Sequence, residues 1–265
     1  MNQSAPGRAC HGHPRLFDTA ESFRGATSAG SGPAAATTGE VKPPIARRGR
    51  GNVHLPAYSR GMRIGLFGGT FDPPHDAHLA ACLIAMKRLS LDRVWWLVTP
   101  GNPLKDTRGL APLEARIVAA RKLARHPRIA VLGLEAQIGT PYTYETIAYL
   151  RAHCPGVRFV WIMGADNLRS FHRWQKWRGI AAMVPMAVVD RLGPSLYAGA
   201  SAAGQALARA RIPETAAKSL PDRKPPAWIY LHGLKSPLSS TALRAARHKI
   251  DAKAPQYGDC ATPAS

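Results

Sequence analysis

Two glycines followed by two histidines form the run of the sequence that most clearly suggests a chemistry. In residues 68–78, GGTFDPPHDAH, the glycines are Gly68 and Gly69, Thr70 follows, and the histidines are His75 and His78. Glycines let backbone amides approach a phosphate, and a helix beginning near the histidines would add free N–H groups and its dipole. Histidines three residues apart share a helix face, where an imidazole can donate to a phosphoryl oxygen. The run predicts a phosphate site, although one histidine capping the helix and the other packing would fit the same short motif.

A second set of anion-binding residues lies near the other end of the chain. Ser239, Ser240 and Thr241 supply three hydroxyls, and Arg244 supplies a guanidinium, at a predicted strand-to-helix junction. Taken alone, Ser239 as an N-cap and Arg244 as a solvated helix charge explain the pattern equally well. Two helix starts suited to anions on one α/β sheet are, however, what a triphosphate lying across the carboxyl ends of the strands would need.

The elements that must position these residues follow an alternating pattern. Short apolar runs predict strands at 63–67, 94–99, 129–132, 158–163, 186–189 and 228–231, and helical periodicity predicts helices at 77–89, 112–125, 144–153 and 240–248. This alternation predicts a single α/β domain with a Rossmann-like, doubly wound parallel sheet. In the first helix, Leu79, Leu83, Met86 and Leu89 recur at three- and four-residue steps, which predicts the face that packs on the sheet.

The sequence divides into a basic leader, one folded domain and a short tail. Residues 1–61 are rich in Gly, Ala, Ser, Pro and Arg without a sustained apolar period, which predicts a disordered extension. A transit peptide and a translation start that really lies at Met62 remain alternatives for this leader. We expect the domain to span residues 62–250, with an insertion at about 192–226 that is partly helical, and a flexible tail at 251–265.

Composition narrows the class of protein. The formal net charge of +20 favours anionic partners. The four cysteines are far apart, without a zinc-type spacing, which is typical of thiols in a reducing compartment. No apolar run approaches the roughly 20 residues that span a bilayer. We therefore expect a cytoplasmic protein without membrane contact. A nucleic-acid-binding protein is the rival class, but its usual sequence signatures are lacking, so only weak polyanion binding by the leader is expected.

The combined motifs resemble the bacterial nicotinate-nucleotide adenylyltransferases of the nucleotidyltransferase superfamily. The resemblance covers about Met62 to His248 and rests on residues 68–78, 99–105, 141–146, 161–168, 171–174, 239–241 and Arg244. The first and last motifs are shared across the superfamily, whereas the middle segments are particular to the nicotinate-nucleotide branch.

The resemblance implies transfer of AMP from ATP to nicotinate mononucleotide, which yields deamido-NAD and pyrophosphate in NAD biosynthesis. The catalytic residues it implies are His78, His75, Thr70 and Arg244. It implies ATP binding by Gly68, Gly69, Thr70, His75, His78, Gly164, Asp166, Ser239, Ser240, Thr241 and Arg244. It implies nicotinate-nucleotide binding by Lys105, Thr143 and Trp174. Mg²⁺ is expected as the cofactor, held chiefly by ATP and water rather than by a protein metal site, since this ion prefers few protein carboxylates.

Several points stay open at the level of the sequence. Thr143 could equally cap the helix that follows it, and Trp174 could be an ordinary core or surface aromatic. Ala77 stands where the family usually has glycine, which puts the fine geometry beside His78 in question. A pantetheine-phosphate adenylyltransferase or a cytidylyltransferase would share the histidine motif, although the segments at 141–146 and 161–174 speak against both. Acceptance of nicotinamide mononucleotide beside the nicotinate form is also open, and the sequence leaves the oligomeric state undetermined.

Overall fold

The structure, a computed structural model, describes residues 53–101, 104, 107–190 and 199–233. Within these ranges the chain forms a seven-stranded sheet in the order β3-β2-β1-β4-β5-β7-β6, and all six strand pairs are parallel. The strands are β1 (Arg63–Gly69), β2 (Arg93–Val98), β3 (Ile129–Leu132), β4 (Arg158–Gly164), β5 (Met186–Val189), β6 (Arg211–Ile212) and β7 (Trp228–Leu231). Six of the seven match the predicted strands to within two residues. The expected α/β, Rossmann-like parallel sheet is confirmed.

Helices cover both faces of this sheet, so it is doubly wound. They are α1 (Asp76–Arg88), α2 (Leu113–Leu123), α3 (Leu134–Ile138), α4 (Thr143–His153), α5 (Ala165–Ser170), α6 (Trp177–Met183) and α7 (Ala202–Ala206), with 3₁₀ turns at Phe171–Arg173, Ala208–Ala210 and Glu214–Asp222. Residues of α1, α2 and Glu214–Asp222 pack in one core, and residues of α3 to α7 pack in the other. Strand β2 shows why: Trp96 belongs to the first core and Trp95 to the second, because successive side chains point to opposite faces.

The predicted sheet-facing side of α1 is confirmed for Leu79, Met86 and Leu89 and is wrong for Leu83. Leu83 is 37% exposed, whereas Ala81 and Ala85 are 3% and 0% exposed and lie against the sheet with Met86. Small side chains let the helix backbone approach the strands closely, and this turns the longer Leu83 outward. Ala77, four residues before Ala81, is buried at 1% exposure. Its methyl group therefore lies in the protein interior.

Residues 53–61 are packed although they fall in the segment predicted to be disordered. Val53 and Leu55 pack against the core on the α4 side of the sheet. The Tyr58 hydroxyl donates to the His153 carbonyl over 2.9 Å, and the Gly61 N–H donates to the Gly156 carbonyl over 2.8 Å. The ordered domain therefore begins before Met62, and the remainder of the leader, residues 1–52, lies outside the described residues.

The predicted insertion contributes to the sheet. Of residues 192–226, the structure describes 199–226, which hold α7, two 3₁₀ turns and strand β6. The sequence pattern does not predict β6, because two residues are too few to show a period. The predicted helix at 240–248 and the tail at 251–265 lie outside the described residues. Within the described ranges, no helix is long and apolar enough to cross a membrane.

Candidate active site

The order of the strands places the candidate site at one point of the sheet edge. Strand β1 pairs with β2 on one side and with β4 on the other, so the direction of chain progression reverses at β1. In open parallel sheets, ligands bind outside the carboxyl ends of the strands at such a switch point. Gly68 and Gly69 end β1, and Gly164 ends β4. The structure thus brings the glycine-histidine run beside the Gly164-Ala165-Asp166 segment, as the sequence predicts.

The loop after β1 is anchored by Phe71. This residue has φ = 48°, a left-handed conformation that is unusual for a bulky side chain. Its ring stacks on that of Trp96 at 4.8 Å between centroids and is 1% exposed. Burial of the ring can offset the backbone strain, which is typical of loops whose backbone must face a ligand. The Asp72 carboxylate accepts the Ala111 N–H over 3.2 Å, which ties the same loop to the segment before α2.

The two histidines form a coupled pair at the start of α1. His75 is the N-cap residue, and its backbone N–H donates to Nδ1 of His78 over 3.2 Å. Their ring centroids are 3.8 Å apart, and both residues are less than 9% exposed. Because Nδ1 of His78 accepts a hydrogen bond, the neutral ring carries its proton on Nε2. His78 is therefore built to donate from Nε2, and both the capping and the chemical interpretation of the pair can hold together.

Aromatic side chains connect Gly68, near the end of β1, to the segment that ends at Trp174. A Cβ atom on Gly68 would lie 2.5 Å from Cη2 of Trp161, so the indole occupies the space beside the glycine. Trp161 is 1% exposed and meets the half-buried Trp174 edge to face, at 6.2 Å between centroids. Phe171 supports Trp174 from another side at 5.3 Å. Trp161 is a core residue, whereas Trp174 keeps part of its ring accessible.

Thr143 is the first residue of α4 and does not cap it. The N-cap position belongs to Tyr142, whose N–H donates to the Thr140 hydroxyl over 3.1 Å. Thr140 in turn donates to the Glu145 carboxylate. The Thr140 hydroxyl thus links the N–H of the N-cap residue to an acidic side chain in the first turn of α4. Thr143 is half-buried at that helix start.

Gly164 and Asp166 lie at the junction of β4 and α5. Gly164 ends the strand and is the N-cap residue of the short helix, with extended backbone angles. Asp166 is exposed in the first helical turn, where a carboxylate is electrostatically favoured. Since β4 neighbours β1, these residues flank the glycine-histidine run of residues 68–78, which we call the phosphate loop.

Arg116 is a site residue that the sequence analysis missed. It lies on α2 and is 3% exposed. Its guanidinium donates to four backbone carbonyls, those of Thr70 (2.7 Å), Thr99 (2.7 Å), Pro100 (3.0 Å) and Ala111 (2.8 Å). Burial lowers the pKa of Arg116, and neighbouring Asp72 opposes this effect. Its partners lie up to 46 positions away along the chain, and they are backbone atoms, so no local pattern could have identified it.

Glu135 is a second missed residue. It lies on α3, is 4% exposed, and burial raises its pKa to about 7, while hydrogen bonds from the Thr99 and Thr146 side chains oppose the rise. Thr99 follows β2, and Thr146 belongs to α4. The Glu135 carboxyl therefore connects the two chain segments in which Lys105 and Thr143 are predicted to bind the nicotinate nucleotide. A raised pKa in such a position is characteristic of functional sites.

Five predicted site residues lie outside the described part of the chain. They are Lys105, Ser239, Ser240, Thr241 and Arg244. Their roles stay predictions.

Comparison with known proteins agrees with this geometry. The family model of cytidylyltransferase-like domains matches residues 66–246. A probable nicotinate-nucleotide adenylyltransferase of Bradyrhizobium sp. (strain BTAi1) is 63% identical over 183 residues, which are 69% of this chain and 95% of the relative. One from Rhizobium meliloti (strain 1021) is 53% identical over 186 residues, which are 70% of this chain and 99% of the relative.

A solved structure shows the same fold at low identity. The Plasmodium falciparum nicotinic acid mononucleotide adenylyltransferase complexed with NaAD has a TM-score of 0.52 and 17% identity, covering 69% of this chain and 83% of its own. The fold and the phosphate loop define a nucleotidyltransferase of the cytidylyltransferase-like type. Within that type, the chain belongs to the nicotinate-nucleotide adenylyltransferase family.

Proposed function

We propose that this protein transfers the adenylyl group of ATP to nicotinate mononucleotide. In this reaction the 5′-phosphate of the mononucleotide attacks the α-phosphorus of ATP, pyrophosphate leaves, and deamido-NAD is formed. Membership of the nicotinate-nucleotide adenylyltransferase family is the observation that carries the proposal. The product belongs to NAD biosynthesis.

The phosphate loop suits this chemistry because adenylyl transfer needs alignment and charge neutralisation rather than a covalent nucleophile. Gly68, Gly69 and Thr70 would supply close backbone contacts to ATP, and His78 would donate from Nε2 to a phosphoryl oxygen while His75 holds its ring. Thr70 and the two histidines would thus be catalytic residues, together with Arg244.

The neighbouring segments would bind the rest of the two substrates. Gly164 and Asp166, at the end of the strand beside β1, would contact the ribose and adenine side of ATP. The Ser239–Thr241 helix start would hold the outer phosphates. Trp174 would stack on the pyridine ring beside Thr143, and Lys105 would balance phosphate charge. Each of these roles is a proposal that single substitutions can test.

We propose that Mg²⁺ acts bound to the ATP phosphates and water. Among the described residues, no group of three or more His, Cys, Asp or Glu side chains is arranged to hold a metal ion. The donors around the phosphate loop are imidazoles and backbone amides, which recognise anions, so the loop fits a metal-nucleotide complex. The ion would neutralise charge on the phosphates, and the protein would orient them.

The deciding experiment measures pyrophosphate release by purified full-length protein with Mg-ATP. Nicotinate mononucleotide, nicotinamide mononucleotide and phosphopantetheine are supplied in separate reactions. We expect turnover with the nicotinate form and none with phosphopantetheine. The ratio of kcat/KM for the two pyridine mononucleotides would measure how strictly the ring carboxylate is read. Absence of turnover with either pyridine nucleotide would refute the proposal. A cytoplasmic location remains a sequence-based prediction that cell fractionation tests.

A further inference from the structure

We propose that Arg116 is a positioning residue that holds the phosphate loop and the loop after β2 at a fixed separation, so that the two reacting phosphates meet in line. The inference rests on the proposed adenylyl transfer. It starts from one guanidinium that bridges two segments on neighbouring strands. Thr70 O belongs to the loop after β1, and Thr99 O and Pro100 O belong to the segment after β2.

The shape of the guanidinium explains why one residue can do this. Its five N–H groups form a rigid planar fork, and a single nitrogen, Nη1, donates at 2.7 Å to both Thr70 O and Thr99 O. Nη2 donates to Pro100 O, and Nε donates to Ala111 O, which belongs to the segment just before α2. One planar guanidinium therefore holds carbonyl groups from three chain segments. A lysine ammonium, as a single point on a flexible stem, could not reach the same four acceptors in this arrangement.

These bonds also orient the backbone of both loops. A trans peptide directs its C=O and N–H in opposite directions, and the cis peptides of the described chain lie elsewhere, at Pro73 and Pro226. Because Thr70 O and Pro100 O point at the guanidinium, the N–H groups of Phe71 and Gly101 point away from it. Arg116 therefore orients the N–H groups of Phe71 and Gly101 away from itself. It would act on the substrates only through the two loops that carry these groups.

The surroundings of the Arg116 charge are partly unfavourable and partly favourable. Burial and a position in the first turns of α2 disfavour the positive charge, whereas neighbouring Asp72 and four carbonyl acceptors favour it. Removal of the guanidinium would leave four carbonyl groups without this donor, so a loss of stability is expected beside any effect on the reaction. The arrangement also holds the loops after β1 and β2 at a fixed separation, and small misplacements of reacting groups slow a reaction steeply, so kcat is the quantity that separates positioning from stability.

The test compares three variants of the full chain: Arg116→Ala, Arg116→Lys and the control Arg121→Ala. Arg121 is exposed on the same helix. We expect kcat for adenylyl transfer to fall about 100-fold in Arg116→Ala, with much smaller increases in the KM values for ATP and nicotinate mononucleotide. Millimolar guanidinium should restore part of kcat, whereas methylammonium should not. Arg116→Lys should have a lowered kcat although it retains the positive charge. If Arg116→Ala does not fold, the kcat of Arg116→Lys decides the test.

Three results would overturn the inference. One is a kcat of the folded Arg116→Ala or Arg116→Lys protein close to that of the unchanged enzyme. Another is a loss confined to the KM for one substrate, which would assign Arg116 to one binding loop. The third is a folded Arg116→Ala protein that guanidinium leaves unrestored. An unchanged protein that releases no pyrophosphate with nicotinate mononucleotide would instead contradict the proposed function, so the two failures are distinguishable.

Discussion

The indole ring of Trp161 occupies the space that a side chain on Gly68 would need, with Cη2 only 2.5 Å from the position of a Cβ atom. Gly68 is therefore required by a packing partner on β4, independently of its predicted role in binding a phosphate. The same indole contacts Trp174, so the predicted ATP side and the predicted nicotinate side of the site share one core residue.

Gly68→Ala is expected to destabilise the protein by about 1–3 kcal/mol through overpacking, and to lower activity by displacing the loop. Trp161→Phe should recover part of this loss in the double variant, because the smaller ring vacates the contested space. Urea unfolding of both single variants and of the double variant measures their coupling. Gly199→Ala is the control, since its Cβ would meet only Arg211, at an ordinary 3.7 Å. Additive losses in the double variant would argue against the contact.

His78→Ala should lower kcat for adenylyl transfer by about 100-fold or more while the fold persists, because a donor to the transition state is lost. His78→Gln should retain more activity, since its amide can donate from a position close to that of Nε2. Pyrophosphate release and a thermal melt measure the two effects separately. His54→Ala is the matched control, as that side chain is exposed. An unchanged kcat in His78→Ala would mean that His78 serves only in packing.

Glu135→Gln should change how stability depends on pH. Burial raises the folded-state pKa of Glu135 to about 7 from 4.5, so the folded protein retains a proton that the unfolded chain has released. The contribution of Glu135 to stability is therefore full below pH 4.5 and is lost as pH rises to about 7. Between pH 5 and 8, the variant should gain at most about 3 kcal/mol relative to the unchanged protein.

The measurement for Glu135 is urea unfolding at a series of pH values. Glu114→Gln serves as the control, because Glu114 is exposed on α2. Parallel pH profiles for the unchanged protein and Glu135→Gln would show that the carboxyl is already ionised in the folded state.

A chain that starts at Met62 should fold less stably than one that starts at Val53. It would lose the packing of Val53 and Leu55 and the hydrogen bond from Tyr58 to His153, which together contribute about 2 kcal/mol. Its activity should be retained below the melting temperature, because these contacts lie before β1 and away from the phosphate loop. Chemical denaturation of the two truncated chains measures the difference. Equal stability would show that these contacts do not contribute to folding.

Much of the fold followed from local sequence. The strands are continuous apolar runs bounded by turns, and the pattern survives because both faces of a doubly wound sheet are buried. On α1 the prediction was confirmed for Leu79, Met86 and Leu89, but Ala81 and Ala85 pack against the sheet where the predicted Leu83 is exposed. Helices α3, α5 and α6 were missed because each has seven residues or fewer, too short to show a period.

The sequence likewise predicted some parts of the candidate site and missed others. The phosphate loop and the histidine pair are contiguous in sequence, so their spacing predicted their proximity. Arg116 and Glu135 act through residues brought near by the sheet, and their chemistry depends on burial, which spacing does not reveal. Thr143 is not the N-cap of α4 for a similar reason, because the helix boundary at Tyr142 is set by how the preceding loop turns.

The outermost strand next to β7 has a consequence for self-association. An exposed sheet edge is a template on which another chain can add a strand. Here that edge is β6, only two residues long, and the guanidinium of Arg211 lies over the ring of Trp228 at 5.3 Å. So short an edge, with an arginine at its first position, offers a foreign strand few backbone groups to pair with. Among the described residues, the segment that interrupts the regular alternation of strands and helices thus leaves little of this edge open to strand addition.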